Sequence, residues 1–198
     1  MLSSPPRVLI VGAGSRGNTY SRIIHEQKLG VIAAVAEPNA FKRRALGRAY
    51  IWTTSEPKTG QEFDDWQDFV NYETERRNLI AVQGSDHVSQ GIDAVFICVL
   101  DKMHKAVIRA LTPFGLHIMC EKPLATTLED CLSIYKDVTS RKNGHQGALF
   151  SVGHVLRYSP INMLLKHLVK DEEIIGDVVA MEHTEPVGWW HFTHSYVR

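Results

Sequence analysis

Gly12-Ala13-Gly14-Ser15-Arg16-Gly17 has the spacing of a loop that cradles a pyrophosphate. In such a loop the first glycine permits a tight turn and the second admits the anion close to the backbone. The third lets a helix pack closely on a strand. The N–H groups at the start of that helix then face the anion. Glu37 stands 20 residues beyond Gly17, where a carboxylate can accept hydrogen bonds from ribose hydroxyls. It also repels a 2′-phosphate, which favours NAD over NADP. Lys42, Arg43 and Arg44 follow closely and can soften that preference, so NADP stays possible. The competing reading is a tight strand–helix turn with no ligand.

A second chemistry resides in Glu121-Lys122-Pro123, directly after the apolar run His117–Cys120. Ligands of open α/β sheets bind beyond the C-terminal ends of the strands. A lysine there can hold a substrate hydroxyl and move its proton, which hydride transfer from a carbinol carbon requires. Taken alone, the same lysine also reads as a solvated loop residue. Other candidates are more evenly balanced. His104 reads as a ligand contact or a structural polar contact. His154, Arg157 and Tyr158 read as a site cluster or as interdomain packing. Trp189, Trp190 and Phe192 read as buried aromatics, with a sugar-stacking platform as the alternative. No Cys/His set has zinc spacing, so no metal is expected. Cys98, Cys120 and Cys131 each have apolar neighbours and read as buried free thiols.

These residues need elements to position them. Arg7–Val11 is a short apolar run of the kind buried in a parallel sheet. The glycine loop, a helix through Tyr20, Ile23, Ile24 and Gln27, and the strand Val31–Ala36 complete a βαβ unit. Ala40–Tyr50 is rich in helix formers. Phe63, Trp66, Phe69 and Val70 have helical spacing, so one amphipathic helix is expected there and surface loop over the rest of 51–91. Ala94–Leu100, His117–Cys120 and Gly147–Val152 read as strands, and His104–Thr112 as a helix between the first two. Thr126 with Glu129 forms a capping box for a helix with Leu128, Cys131, Leu132, Tyr135 and Val138 on its apolar face. Ile161, Leu164, Leu165, Leu168 and Val169 predict a strongly amphipathic helix. Asp177–Glu182 reads as a strand, with an aromatic continuation at Trp189–Phe192. The fold class is therefore α/β. It is a Rossmann-type doubly wound parallel sheet over 1–153, with a second domain beginning at 154–198.

The chain has 198 residues, with 22 Lys+Arg against 22 Asp+Glu, so no basic excess points to nucleic acid. Hydrophobic residues make up 44 %, which excludes disordered and low-complexity classes. The longest clean apolar run, Ala94–Leu100, is far short of the roughly 20 residues of a membrane span. No apolar signal core precedes a cleavage site. A soluble cytoplasmic protein with no membrane partner is expected.

GAGSRG, DAVFICVLDKMH and HIMCEKPLATT in this order resemble the Gfo/Idh/MocA family, the glucose–fructose oxidoreductase and inositol 2-dehydrogenase group. GHVLRYSP and GDVVAMEHTEPVGWWHFTHSYVR are similar to the opening of that family's second domain. The resemblance covers nearly all of 7–198. It implies a nicotinamide-dependent oxidoreductase acting on the CH–OH group of a sugar, polyol or related compound. By matching position, Gly12, Ala13, Gly14, Ser15, Arg16 and Gly17 hold the pyrophosphate and Glu37 the ribose. Leu100, His104 and Glu121 border the cofactor, Lys122 is the catalytic-site lysine, and Arg157 reaches substrate or cofactor. Leu100-Asp101 replaces the family's Thr-Pro, which alters the cofactor contacts of that loop. The family's second domain carries a further Asp and His, and neither His183, His191 nor His194 stands in that motif. The chain is thus expected to be an N-terminal portion, with 154–198 the truncated start of an α+β sheet domain, from a truncated product, a short isoform or an incomplete gene model. Weak NAD binding with little turnover, and homo-oligomerisation through the C-terminal sheet, follow as expectations. The alternative is a non-catalytic dinucleotide-binding regulator of the same fold.

Overall fold

The computed structural model describes residues 4–85, 88–140 and 147–189. The chain packs as two units, Met1–His154 and Val155–Arg198.

The first unit is built on β1 (Arg7–Val11). The glycine loop follows, then α1 (Ser15–Glu26), β2 (Val31–Ala36) and α2 (Ala40–Tyr50). A two-residue β3 (Glu62–Phe63) and α3 (Trp66–Gln83) come next. Then come β4 (Ala94–Ile97), α4 (His104–Leu111), β5 (His117–Cys120), α5 (Leu128–Thr139) and β6 (Phe150–Val152). The strands form one parallel sheet in the order β3-β2-β1-β4-β5-β6. The order reverses between β1 and β4, which is where open sheets of this kind leave a crevice for a ligand.

Strand alternation divides the core. Leu9 and Val11 of β1 face one side, with Ile97, Ile118 and the buried residues of α3, α4 and α5. Val8 and Ile10 face the other, against Ile24 of α1 and Leu46 of α2. Trp52 caps that second layer and lies over Gly47, where a side chain would strike the indole. In α4, Val107, Ile108 and Leu111 are fully buried, as their spacing dictates.

Several elements differ from the sequence expectation. Phe63 belongs to β3, not to a helix, and α3 begins at Trp66 and runs on through Gln83. Asp65 caps it, with Asp68 completing the box. Within α3, Glu73 is fully buried, held by Arg76 at 2.7 Å and Arg77 at 2.7 Å. Burial pushes its carboxyl up, but the hydrogen bonds from the two arginines outweigh that, and it lies below the usual carboxylate range. α5 is capped by Thr127, which accepts from the Asp130 amide, rather than by Thr126. Its buried face turns on Ile134, while Leu128, Leu132 and Tyr135 are exposed. β4 ends at Ile97 and β6 starts at Phe150, both shorter than the apolar runs that announced them.

The second unit has α6 (Pro160–Lys166), which widens into a π-type turn over His167–Asp171. Asp177–Glu182 is not a strand, because no described strand lies beside it to complete a ladder. Ile161, Leu164, Leu165, Val179 and Met181 are exposed. Trp190, His191, Phe192 and His194 lie outside the described residues. No helix among the described residues is long and apolar enough to cross a membrane.

Candidate active site at the carboxyl edge of the sheet

The sheet ladder continues past the strand ends and brings four loops to one edge. Gly12 donates to Ala36 O at 2.9 Å, Cys98 to Val11 O at 2.7 Å, and Glu121 to Ile97 O at 2.9 Å. Gly153 donates to Cys120 O at 2.7 Å. The glycine loop, Glu37, the segment after β4 and the Glu-Lys-Pro turn therefore share this edge.

Each glycine of the loop meets a different demand. Gly12 has φ +98°, and a Cβ there would lie 2.7 Å from Cys98 O. At Gly17 a Cβ would strike the Gly12 carbonyl. Gly14, the N-cap of α1, has no atom within 4 Å of an added Cβ, so the loop is open on that side. Ser15 and Arg16 are exposed at the helix start, and Ala13 is buried beneath it. Asn18 closes the loop by donating to Ala13 O and Gly14 O, each at 2.9 Å.

Glu37 is fixed by two backbone amides. Oε2 accepts from Ala13 at 2.8 Å and Oε1 from Asn39 at 3.0 Å. The carboxylate thus borders the glycine loop directly. Arg43, one of the three nearby cations, is nearly buried and turned away. Its guanidinium meets Glu62 at 2.7 Å, Asp64 at 2.6 Å and Glu37 O at 2.6 Å. Among the described residues this leaves Lys42 and Arg44 as the exposed cations of α2's first turns.

Glu121 and Lys122 are adjacent but differ in setting. Glu121 is 6 % exposed, whereas Lys122 is exposed and its ammonium has no partner among the described residues. Oε1 of Glu121 accepts from the Tyr20 hydroxyl at 2.5 Å, with Arg16 Nε at 4.0 Å. Oε2 accepts from the Lys122 amide at 3.2 Å. The Lys122–Pro123 peptide is cis. Burial raises the Tyr20 phenol, and Glu121 raises it further. Burial likewise raises the thiols of Cys98 and Cys120, the latter to about 12, and the Glu121 charge adds to both. Sequence reasoning missed Tyr20, which read there as part of an apolar helical face.

The remaining candidates divide. Leu100 is partly exposed at this edge and starts the short turn Asp101–Met103. His104 is 1 % exposed, with Nδ1 3.0 Å from Pro123 O and Nε2 3.1 Å from Val99 O. Its ring thus lies between the loop after β4 and the Glu-Lys-Pro turn. Arg157 lies in the second unit, exposed, within the turn Val155–Tyr158. Among the described residues no three His, Cys, Asp or Glu gather as metal ligands would.

A parallel sheet in this order, with a glycine loop and an acidic residue at its reversal point, defines a Rossmann-type dinucleotide-binding protein. The chain belongs to the Gfo/Idh/MocA oxidoreductase family with an NAD-binding Rossmann fold, whose description matches residues 6–149. It is 34 % identical over 176 residues to inositol 2-dehydrogenase 1 of Saccharopolyspora erythraea, covering 88 % of this chain and 44 % of that one. It is 26 % identical over 180 residues to 2,7-anhydro-N-acetylneuraminate hydratase of Mediterraneibacter gnavus, covering 91 % and 39 %. The fold is similar to that of scyllo-inositol dehydrogenase from Lactobacillus casei with bound NAD(H) and scyllo-inositol. There the TM-score is 0.67 at 22 % identity, covering 88 % of this chain and 43 % of that one. The chain spans less than half the length of these relatives.

Proposed function

We propose that this chain binds NAD at the β1–β4 edge and supplies the proton-handling lysine of a reaction at the CH–OH group of a sugar-like compound. The observation that carries this reading is the exposed ammonium of Lys122, without a partner among the described residues, on the same sheet edge as the Gly12–Gly17 loop and Glu37. The residues present fit a dinucleotide: the loop is open at Gly14, and an acidic acceptor stands beside it. When bound, the nicotinamide ring supplies the hydride acceptor or donor.

The chain's own groups do the rest. The α1 amides bind the pyrophosphate. Glu37 accepts from the ribose hydroxyls in place of the Ala13 amide, and its charge opposes a 2′-phosphate. Arg43, held by Glu62 and Asp64, does not offset that charge. Lys122 holds the substrate hydroxyl oxygen and takes or returns its proton. Its relatives include a dehydrogenase of inositol and a hydratase of an anhydro sugar, and a polyhydroxylated substrate is common to both. Three free thiols are consistent with action in the reducing cytoplasm. Arg157 and the 154–198 segment belong to the substrate-binding and oligomerising part.

Calorimetric titration with NAD⁺ and NADP⁺ tests the reading. Saturable NAD⁺ binding, with NADP⁺ weaker by about tenfold (about 1.4 kcal/mol), is expected. A folded chain that binds neither sinks it. Lys122→Ala should keep NAD⁺ affinity and lose oxidation of inositols and sugars wherever that activity is measured; a non-catalytic regulator would lose neither.

A further inference from the structure

Glu121 is nearly sealed at the floor of the edge, while the lysine that follows it is exposed. A carboxylate buried to that degree is costly unless donors surround it. One of its oxygens has the Tyr20 hydroxyl at 2.5 Å and Arg16 at 4.0 Å; the other has the Lys122 amide at 3.2 Å. Arg16 and Tyr20 are four residues apart on α1 and so share a face. That helix also carries the glycine loop at its start.

We infer that Tyr20 is the positioning residue of the Glu-Lys-Pro turn: its hydroxyl fixes Glu121, and Glu121 fixes the backbone that aims Lys122. The inference rests on the reading of Lys122 as the site lysine. A purely apolar role for Tyr20 explains its ring, which packs on Phe96 at 5.3 Å, but not its hydroxyl. Removing that oxygen leaves a buried carboxylate with one distant arginine and the amide of its neighbour. The space is closely filled as well. A Cβ at Gly153 would lie 3.1 Å from Glu121 Oε1 and 3.3 Å from the Tyr20 hydroxyl. Burial and the adjacent carboxylate both raise the phenol, so it stays a donor at neutral pH. One helix thus touches the pyrophosphate end of the site and the turn that holds the lysine.

Tyr20→Phe keeps the ring and removes the hydroxyl. Hydrogen exchange of the whole chain reads the positioning without any ligand. Amides of 121, 122, 124 and 125 should exchange about tenfold faster in the variant, the worth of one hydrogen bond to a charged group. Amides of β1 should not change. Unchanged exchange at 121–125, or equal acceleration in β1, overturns the inference. The second arm compares NADH with ADP-ribose, which lacks the nicotinamide. Because the shifted turn carries Glu121, which the family resemblance sets beside the cofactor, Tyr20→Phe should weaken NADH about fivefold to tenfold and leave ADP-ribose within about twofold. Equal loss of both marks a general structural role and also overturns it. Absence of ADP-ribose binding by the unaltered chain overturns the dinucleotide reading, and the exchange arm still decides the role of Tyr20. Glu121→Gln, which keeps an acceptor for the hydroxyl, should restore part of the protection lost in Glu121→Ala.

Discussion

α4 and α6 each carry an apolar stripe at helical spacing and differ completely in burial. Val107, Ile108 and Leu111 of α4 are all 0 % exposed, while Ile161, Leu164 and Leu165 of α6 are 78 %, 57 % and 53 % exposed. In the first unit, the sheet offers α4 a surface made by Val95, Ile97 and Ile118. In the second unit, no described residue covers the face of α6. A periodic apolar stripe therefore specifies a helix and a face, but not a partner. Its contribution to stability comes from the area removed from water, which only the partner provides.

The comparison is sharpest in truncation to alanine. Ile108→Ala should cost about 2–5 kcal/mol in denaturant unfolding, because it leaves a cavity in a packed layer. Leu164→Ala should change the same transition by less than about 0.5 kcal/mol. Equal losses would break the contrast.

Within the first unit, Glu73→Ala should cost about 3 kcal/mol, since it leaves Arg76 without its buried partner. Arg77 is more than a third exposed and adds little. The pH dependence has a definite sign. The folded carboxyl lies below its unfolded value, so its stabilisation is present above the ordinary carboxylate range. It is lost as pH falls from the ordinary carboxylate range through the depressed value. Melting curves against pH should lose that acid slope in Glu73→Gln.

Gly12→Ala should lower stability by about 1–3 kcal/mol, because its φ of +98° and the Cys98 carbonyl both oppose a side chain. Gly14→Ala, where there is room and an ordinary φ, should be nearly neutral in a melt but should weaken dinucleotide binding. Thr127→Ala should cost about 1 kcal/mol as the loss of a helix cap. Thr126→Ala should stay within about 0.5 kcal/mol. The smallest effect is chemical. At neutral pH, Cys98 and Cys120 should resist iodoacetamide in the folded chain, since burial keeps both thiols protonated. Mass spectrometry of the modified peptides reads this directly.

Much of the first unit was legible in the sequence because its signals are local. Arg7–Val11, Ala40–Tyr50 and His117–Cys120 form with the bounds their composition gave. The glycine loop and Glu37 announce each other by spacing. α3 was half hidden because its middle, Asn71–Asn78, is mostly polar and its one buried charge, Glu73, looks like a surface glutamate. Only the folded chain shows that Arg76 and Arg77 close over it. Thr126 and Thr127 are equally good caps on paper, and the backbone turn decides between them. Tyr20 and Glu121 are 101 positions apart, so no local pattern connects them. A tyrosine among aliphatics on a buried helix face was the available hint, because its hydroxyl needs a partner.

The strand order also sets a timetable for synthesis. β1 is central and must be flanked by β2 on one side and β4 on the other. Its second neighbour begins at Ala94, 83 positions after Val11. At roughly 5–20 residues per second, a ribosome takes about 4–17 s to make that span. For those seconds the nascent β1–β2 pair exposes the free edge of its most apolar strand, an open template for stray pairing. The later part of the gap holds α3, whose polar middle, Asn71–Asn78, keeps that stretch of the waiting polypeptide hydrated. The weak amphipathicity that hid this helix from the reader can thus serve the chain while it emerges.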